Sequence, residues 1–343
     1  MTDLAQPTTV APPAAEPTTS AAGAWLGWLA RRLGLAVLTL WLCSVLVFFA
    51  TAALGDPVRA ILGKDYGTSP QRVAEITAEL HLDQPVIGRY LDWLGGLLTG
   101  DLGQSVVNKL PVGELVGDRI LNSGVLVLVA ALVTIPVAFG IAMISANARG
   151  RRTDGVIQIV LIALAGLPEF VVGILLVALF STTVLHLLPA VTIAGGGAPP
   201  WSNPASMILP VVTLVIAVAP YVARIVRASL LEVLDSDYVE LARLKGVPER
   251  IVLRRHALRN AVVPGIQVVA LQLAWLAGGI VVVEYLFSYP GVGASLVDAV
   301  RNSDFPVVQL LAMTIATVYV VVNLVADVLS ILLTPRARTA ITS

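Results

Sequence analysis

Six long apolar runs constrain this chain more than any other feature. They fall at about 30–53, 121–146, 156–183, 207–230, 262–287 and 307–333. A hydrocarbon core about 30 Å thick is crossed by roughly 20 mostly apolar helical residues. Lipid offers no partner to backbone N–H and C=O groups, so each run must close its hydrogen bonds within a helix. The expected fold class is therefore an all-α integral membrane protein with six transmembrane helices. Composition agrees: 57% of the 343 residues are hydrophobic and 13% are charged, against about 25% charged in a soluble domain. The 22 basic and 22 acidic residues cancel, so charge gives no reason to expect a nucleic-acid partner. The single cysteine, Cys43, lies inside the first apolar run and reads as a buried thiol.

Orientation follows from the loops. Arg31 and Arg32 precede the first run, Arg149, Arg151 and Arg152 separate the second from the third, and Arg336 and Arg338 follow the sixth. Between the fourth and fifth lie Arg224, Arg227, Arg243, Lys245, Arg250, Arg254, Arg255 and Arg259, whereas the loop at 184–206 has no lysine or arginine. The basic sites alternate, as loops on one membrane face should. The positive-inside rule then puts both termini in the cytoplasm. The loop from Gly55 to Asp118 is extracytoplasmic. In it, Ser69-Pro70 predicts a helix start followed by Val73, Ile76 and Leu80, and Pro85 opens a second helix carrying Val86, Tyr90, Leu94 and Leu97. Both read as amphipathic pieces near the outer membrane surface.

One polar, basic stretch stands between two apolar runs: ELARLKGVPERIVLRRHALRNAVVP, beginning at Glu240. Asp237 and Glu240 fit the N-cap and N3 positions of a capping box. Tyr238, Leu241 and Ala242 then share a helix face. Gly246 suits the left-handed position after a helix, and Pro248 the first position of a second helix through Arg254, Arg255 and His256. The pattern predicts a helix–turn–helix elbow with a small apolar knob and a basic rim, suited to docking in another protein's groove. A basic juxtamembrane loop that only fixes topology and meets anionic lipid is the plainer alternative from these residues alone.

Resemblance decides between them. Glu240-Leu241-Ala242 with Gly246 is similar to the E-A-A-x-x-x-G signature of ABC importer permeases. DYVELARLKGVPERIVLRRHALRNAVVP and VVVEYLFSYPGVGASLVDAVRNSDFPVVQ resemble the subgroup serving dipeptides, oligopeptides and nickel, as do LGDP, LHLDQPVIGRYLDWL and GDLGQS upstream. The likeness runs from about residue 25 to 338. Leu241 replaces the first alanine of the signature, His256-Ala257-Leu258-Arg259 stands where the general signature has I-x-L-P, and LLTPRAR lacks the acidic residue common before Pro-Arg.

The resemblance implies a type I ABC importer permease fold in the cell membrane. Residues 1–24, rich in Ala, Pro and Thr, read as a disordered cytoplasmic tail. A first membrane helix at 25–54, an extracytoplasmic region at 55–118, a five-helix core at 119–334 containing the elbow at 235–260, and a cytoplasmic tail at 335–343 follow. The elbow would couple to an ATPase through Tyr238, Glu240, Leu241, Ala242, Lys245, Gly246, Arg254 and Arg255. The implied partners are a second, homologous permease forming a heterodimer, two ATPase subunits or domains, and an extracytoplasmic substrate-binding protein. Peptides are the implied cargo, with nickel or another small solute as the alternative.

The chain has no G-x-x-x-x-G-K-[ST] phosphate loop, so ATP and magnesium would be used by the partners and no cofactor is expected here. His81, His186 and His256 lack metal-ligand spacing. No enzyme site is expected. Glu169, directly after Pro168 in the third run, costs about 2.5–3.5 kcal/mol at the bilayer centre and must face protein or water. It reads either as lining a translocation pathway with Gln267 and Gln272, or as a tie between helices. Pro136, Pro168 and Pro220 should kink their spans. Asp327, near the end of the sixth run, should pair with a juxtamembrane arginine. An ion-driven secondary transporter is the competing class; its hallmark, a matched pair of Gly/Pro-interrupted helices, is not evident.

Overall fold

The computed structural model describes residues 21–53, 58, 70–79, 82–192, 198–248, 251, 265, 267–269, 271–272, 276 and 280–333. Among them the protein is helical, with no strand beyond an isolated bridge between Gln104 and Pro111. The helices are α1 (Ala21–Ala53), α2 (Pro70–Glu79), α3 (Val86–Thr99), α4 (Val112–Asn147), α5 (Arg152–Ala165), α6 (Glu169–Val177), α7 (Pro204–Leu234), α8 (Asp237–Leu244), α9 (Val292–Arg301) and α10 (Phe305–Leu333). Four of these, α1, α4, α7 and α10, are long and apolar enough to cross a bilayer, and α5 with α6 makes a fifth if counted together. The fifth apolar run, 262–287, lies largely outside the described residues, although its described positions through 286 are helical.

The core forms where α4 packs along α7. Small residues on α4, Ala130, Ala138, Ala142 and Ala146, join Val222, Ala223, Val226 and Leu230 of α7 in one buried cluster. Small side chains let helix backbones approach closely, which supplies packing where lipid supplies no hydrophobic drive. Residue 265 joins the same seam: a Cβ there would lie 2.5 Å from Phe139 Cζ on α4 and 3.2 Å from Val226 on α7, so only glycine fits. A second cluster unites the start of α4 with α9 and α10 through Val112, Val116, Ala299, Val308 and Leu311.

α1 stands outside this core, packed on α10. Arg32 reaches Asp327 across that contact at 2.9 Å, the pairing expected for Asp327. At the other end of α1, Phe48 packs with Tyr90 and Trp93 of α3, and the Tyr90 hydroxyl lies 2.9 Å from Ser44 Oγ. The amphipathic helices α2 and α3 begin where their prolines predicted: Pro70 is the first residue of α2, and Pro85 stands at the N-cap of α3.

The third run departs from expectation. It is not one kinked helix over 156–183: α5 and α6 meet at 101° across Gly166–Pro168. The residue before a proline is pushed out of the helical region, and Pro168 lacks the N–H that would continue α5. Both arms then pack on α7 separately. Pro136 and Pro220, by contrast, stay inside the continuous helices α4 and α7. A boundary also moves: α4 starts at Val112, so the division at 118/119 falls within its second turn.

Candidate functional site

The strongest candidate is α8, at the end of the molecule that carries the basic loops. α7 stops at Leu234, the chain turns through Asp235 and Ser236, and eight residues of helix follow. The N-cap is Ser236 rather than Asp237, and no side-chain capping bond forms: the Ser236 hydroxyl donates backwards to Val233 O at 2.5 Å. Asp237 and Glu240 instead lie in the first turn, where negative charge suits the positive end of the helix dipole.

The C-terminal turn follows the sequence closely. Gly246 has φ +76°, in the left-handed region. Its N–H donates to Arg243 O at 2.9 Å, and the Val247 N–H donates to Ala242 O at 3.1 Å. These two bonds are the Schellman pattern, completed by apolar partners at its two ends. Ala242 and Val247 both pack against the main core.

Val239 is the anchor: it is fully buried against the core, and Ala242 sits beside it one turn later. That reassigns Ala242, which the sequence grouped with the outward knob. What faces outward is Tyr238, 46% exposed, Leu241, 52%, and Leu244, 79%. Three large apolar side chains thus stand in the open on a helix fixed from beneath. Lys245 is exposed at its end. Arg254 and Arg255 lie outside the described residues.

Two ion pairs brace the elbow's support. Between α4, α5 and α7, Arg227 forks onto Asp154, Nε to Oδ1 at 3.0 Å and Nη2 to Oδ2 at 2.6 Å. Ser145 Oγ donates to the same carboxylate at 2.6 Å, and Gln158 donates to Ser145 at 2.9 Å. Asp154 is buried, so this is a desolvated, multiply bonded pair. Nearer the surface, Arg149 bonds Asp235 at 2.6 Å. The guanidinium holds the Asp235 carboxyl below its usual range, so the pair persists at neutral pH and is lost only in acid. Sequence reading missed all four charged residues as partners. An arginine at 227, within the last turns of the fourth apolar run, was the available signal.

At the opposite end, a further carboxylate went unremarked. Glu284 is fully buried and accepts from Ser123 Oγ at 2.5 Å, Gly293 N at 2.6 Å and Ala294 N at 3.3 Å. Those bonds seat the start of α9 against α4. Tyr289 reinforces the seat by donating to Asn122 O at 2.8 Å, while Asn122 donates to Pro290 O at 2.7 Å. A Cβ at Gly291 would fall 2.2 Å from Glu284 Oε1, so the loop closes only with glycine there.

Glu169 is the first residue of α6, half-buried at the bend, and makes no hydrogen bond or ion pair among the described residues. Gln267 and Gln272 are half-buried helical positions of the fifth run. Glu169 is bonded to neither. The bend is a single interruption, without a matching one among the described residues. Among those residues, no group of His, Cys, Asp or Glu is placed to hold a metal ion.

Comparison with known proteins places these features in company. Residues 137–339 match the family described as binding-protein-dependent transport system inner membrane component. Residues 25–120 match its N-terminal companion, the binding-protein-dependent transport system membrane component, N-term. The glutathione transport system permease protein GsiC of Escherichia coli K12 is 35% identical over 314 residues, covering 91% of this chain and 99% of its own. The protein of that name from Salmonella typhi is 37% identical over 311 residues, covering 90% and 98%.

Proposed function

The chain belongs to the binding-protein-dependent transport system inner membrane components, the permease subunits of ABC importers, and from that membership we propose that it forms half of an ATP-driven import pathway for small peptides. It is a multi-pass membrane protein and not an enzyme. The observation that carries the coupling part of the proposal is α8: a short helix buried on one side through Val239, ended by Gly246, and presenting Tyr238, Leu241 and Leu244 outward. An apolar helix face on a rigid mount is what a groove in a moving partner can grip.

In this reading six helices cross the membrane, both termini are cytoplasmic, and α8 docks on an ATPase subunit. Tyr238, Leu241 and Leu244 enter the groove, and Glu240, Lys245, Arg254 and Arg255 form its polar rim. A second, homologous permease completes the pathway, and a binding protein delivers cargo to the outer face. The glutathione permeases that the chain resembles favour a small peptide as that cargo. Uptake of radiolabelled dipeptide and glutathione into vesicles holding the whole assembly tests this. Uptake should require ATP and the binding protein and should ignore excess nickel; nickel competition would transfer the assignment to a metal chelate. The purified chain alone should neither bind nor hydrolyse ATP, and saturable nucleotide binding to it would refute that division of labour.

Glu169 belongs to the pathway in this reading. Its unpartnered carboxyl stands at a bend that lipid could not solvate. With Cys43 replaced, Glu169→Cys should react with a small water-soluble thiol reagent, at a rate that changes with nucleotide state. Silence in every state would make Glu169 a helix tie instead.

A further inference from the structure

At the end of the molecule opposite α8, a cavity of about 230 Å³ opens between the first turns of α4, the outer side of α9 and the loop before α4. Its floor is aliphatic, formed by Val116 and Leu311 of the second cluster. Its walls are polar: Asn108, Arg119, Ser295, Asp298 and Asn302.

The two charged groups are the informative ones. Arg119 and Asp298 line the same space, yet neither makes an ion pair or side-chain hydrogen bond among the described residues. Elsewhere such pairs do close, as Arg227–Asp154, Arg149–Asp235 and Arg32–Asp327 show. Arg119 is half-buried, whereas Asp298 is exposed at the mouth with Asn108 and Asn302. Arg119 does not bond Glu284, whose oxygens are taken by Ser123, Gly293 and Ala294. Asp304, the remaining acid in the wall, is likewise engaged, by Ser105 Oγ and by Val106 N at 3.0 Å. A cation and an anion, neither bonded to another side chain among the described residues, therefore line one cavity. The complementary ligand carries one negative and one positive group.

We propose that this cavity is a binding subsite for a short zwitterionic peptide, Arg119 receiving a carboxylate and Asp298 an ammonium group. Ser295, Asn108 and Asn302 supply neutral hydrogen bonds between them. The volume is below the roughly 300–1,000 Å³ of sites for drug-sized ligands, which limits the fit to about a dipeptide or one end of a longer chain. The inference rests on the peptide and orientation readings above: the subsite would lie where cargo arrives from outside.

The test uses the complete transporter in vesicles, with Cys43→Ser and a reporter cysteine at Asn302→Cys or, independently, Ser295→Cys. Ala-Ala should slow labelling by a water-soluble maleimide, and acetylated, amidated Ala-Ala should not. Arg119→Gln should raise the Ala-Ala concentration needed for protection by about tenfold or more, the loss expected for one charged hydrogen bond. It should do so for peptides with a free carboxylate and not for the C-amide. Asp298→Asn should do the same for a free amine and not for the N-acetyl form. No protection at either reporter, or equal protection by the doubly blocked peptide, overturns the subsite. Uptake by the same vesicles separates the two claims: uptake without protection discards the cavity and keeps the transport reading. Protection without uptake does the reverse.

Discussion

Replacing Asp154 with alanine is expected to destabilise the permease by about 1.5–3 kcal/mol, the loss of hydrogen bonds to a charged group whose partner, Arg227, keeps some exposure to water. Arg227 would keep its charge between α5 and α7 with no carboxylate to receive its two bonds, and Ser145 would lose its acceptor. The measurement is thermal unfolding of the purified transporter in detergent, together with the amount of chain recovered in the membrane. The partner experiment separates charge from packing. Asp154→Leu combined with Arg227→Met replaces the pair by apolar volume, and such replacements are often neutral or stabilising. Most of the lost stability should therefore return in the double variant. A double variant as damaged as the sum of its parts would mean that the pair does more than hold α5 on α7.

The second large effect falls on transport rather than stability. Gly246→Val should leave the chain inserted and assembled while ATP hydrolysis no longer drives uptake. Valine at φ +76° costs about 1–2 kcal/mol, and the chain relieves it by giving up the bonds from Gly246 to Arg243 and from Val247 to Ala242. The elbow then leaves α8 in a new direction. Beyond its chain neighbours, no atom of the described residues lies within 4 Å of a Cβ at this position, so among them the effect is conformational and not a clash. Gly246→Asn is the control, because asparagine enters the left-handed region with little strain. It should retain most coupling. Normal uptake in the valine variant would disprove the assignment.

Gly246 was legible in the sequence because a left-handed turn after a short helix is a local requirement that glycine meets almost alone. The starts of α2 and α3 were legible for the same reason, from Pro70 and Pro85. The bend at 166–168 was not. Proline inside an apolar run predicts a kink, yet Pro136 and Pro220 lie within continuous helices, so nothing within the third run distinguishes Pro168 from them. What differs is the packing of each arm on α7, a contact between distant parts of the chain. Ala242 was misplaced by a similar route: helical spacing grouped it with Tyr238 and Leu241, but the face of α8 that turns inward is fixed by Val239. Glu284 carried the same signal as Glu169, an acid within an apolar run, and could have been found by the same argument. Its partners, 161 residues away at Ser123 and on the backbone of α9, could not.

The bend also bears on how the chain is made. α5 alone is 14 residues, about 21 Å at 1.5 Å per residue, too short to traverse the hydrocarbon unaided. α5 packs on α4 as well as on α7, and α6 packs on α7. The element that receives both arms therefore follows them in the chain, so the packing that holds the 101° turn is complete only once Pro204–Leu234 has been made.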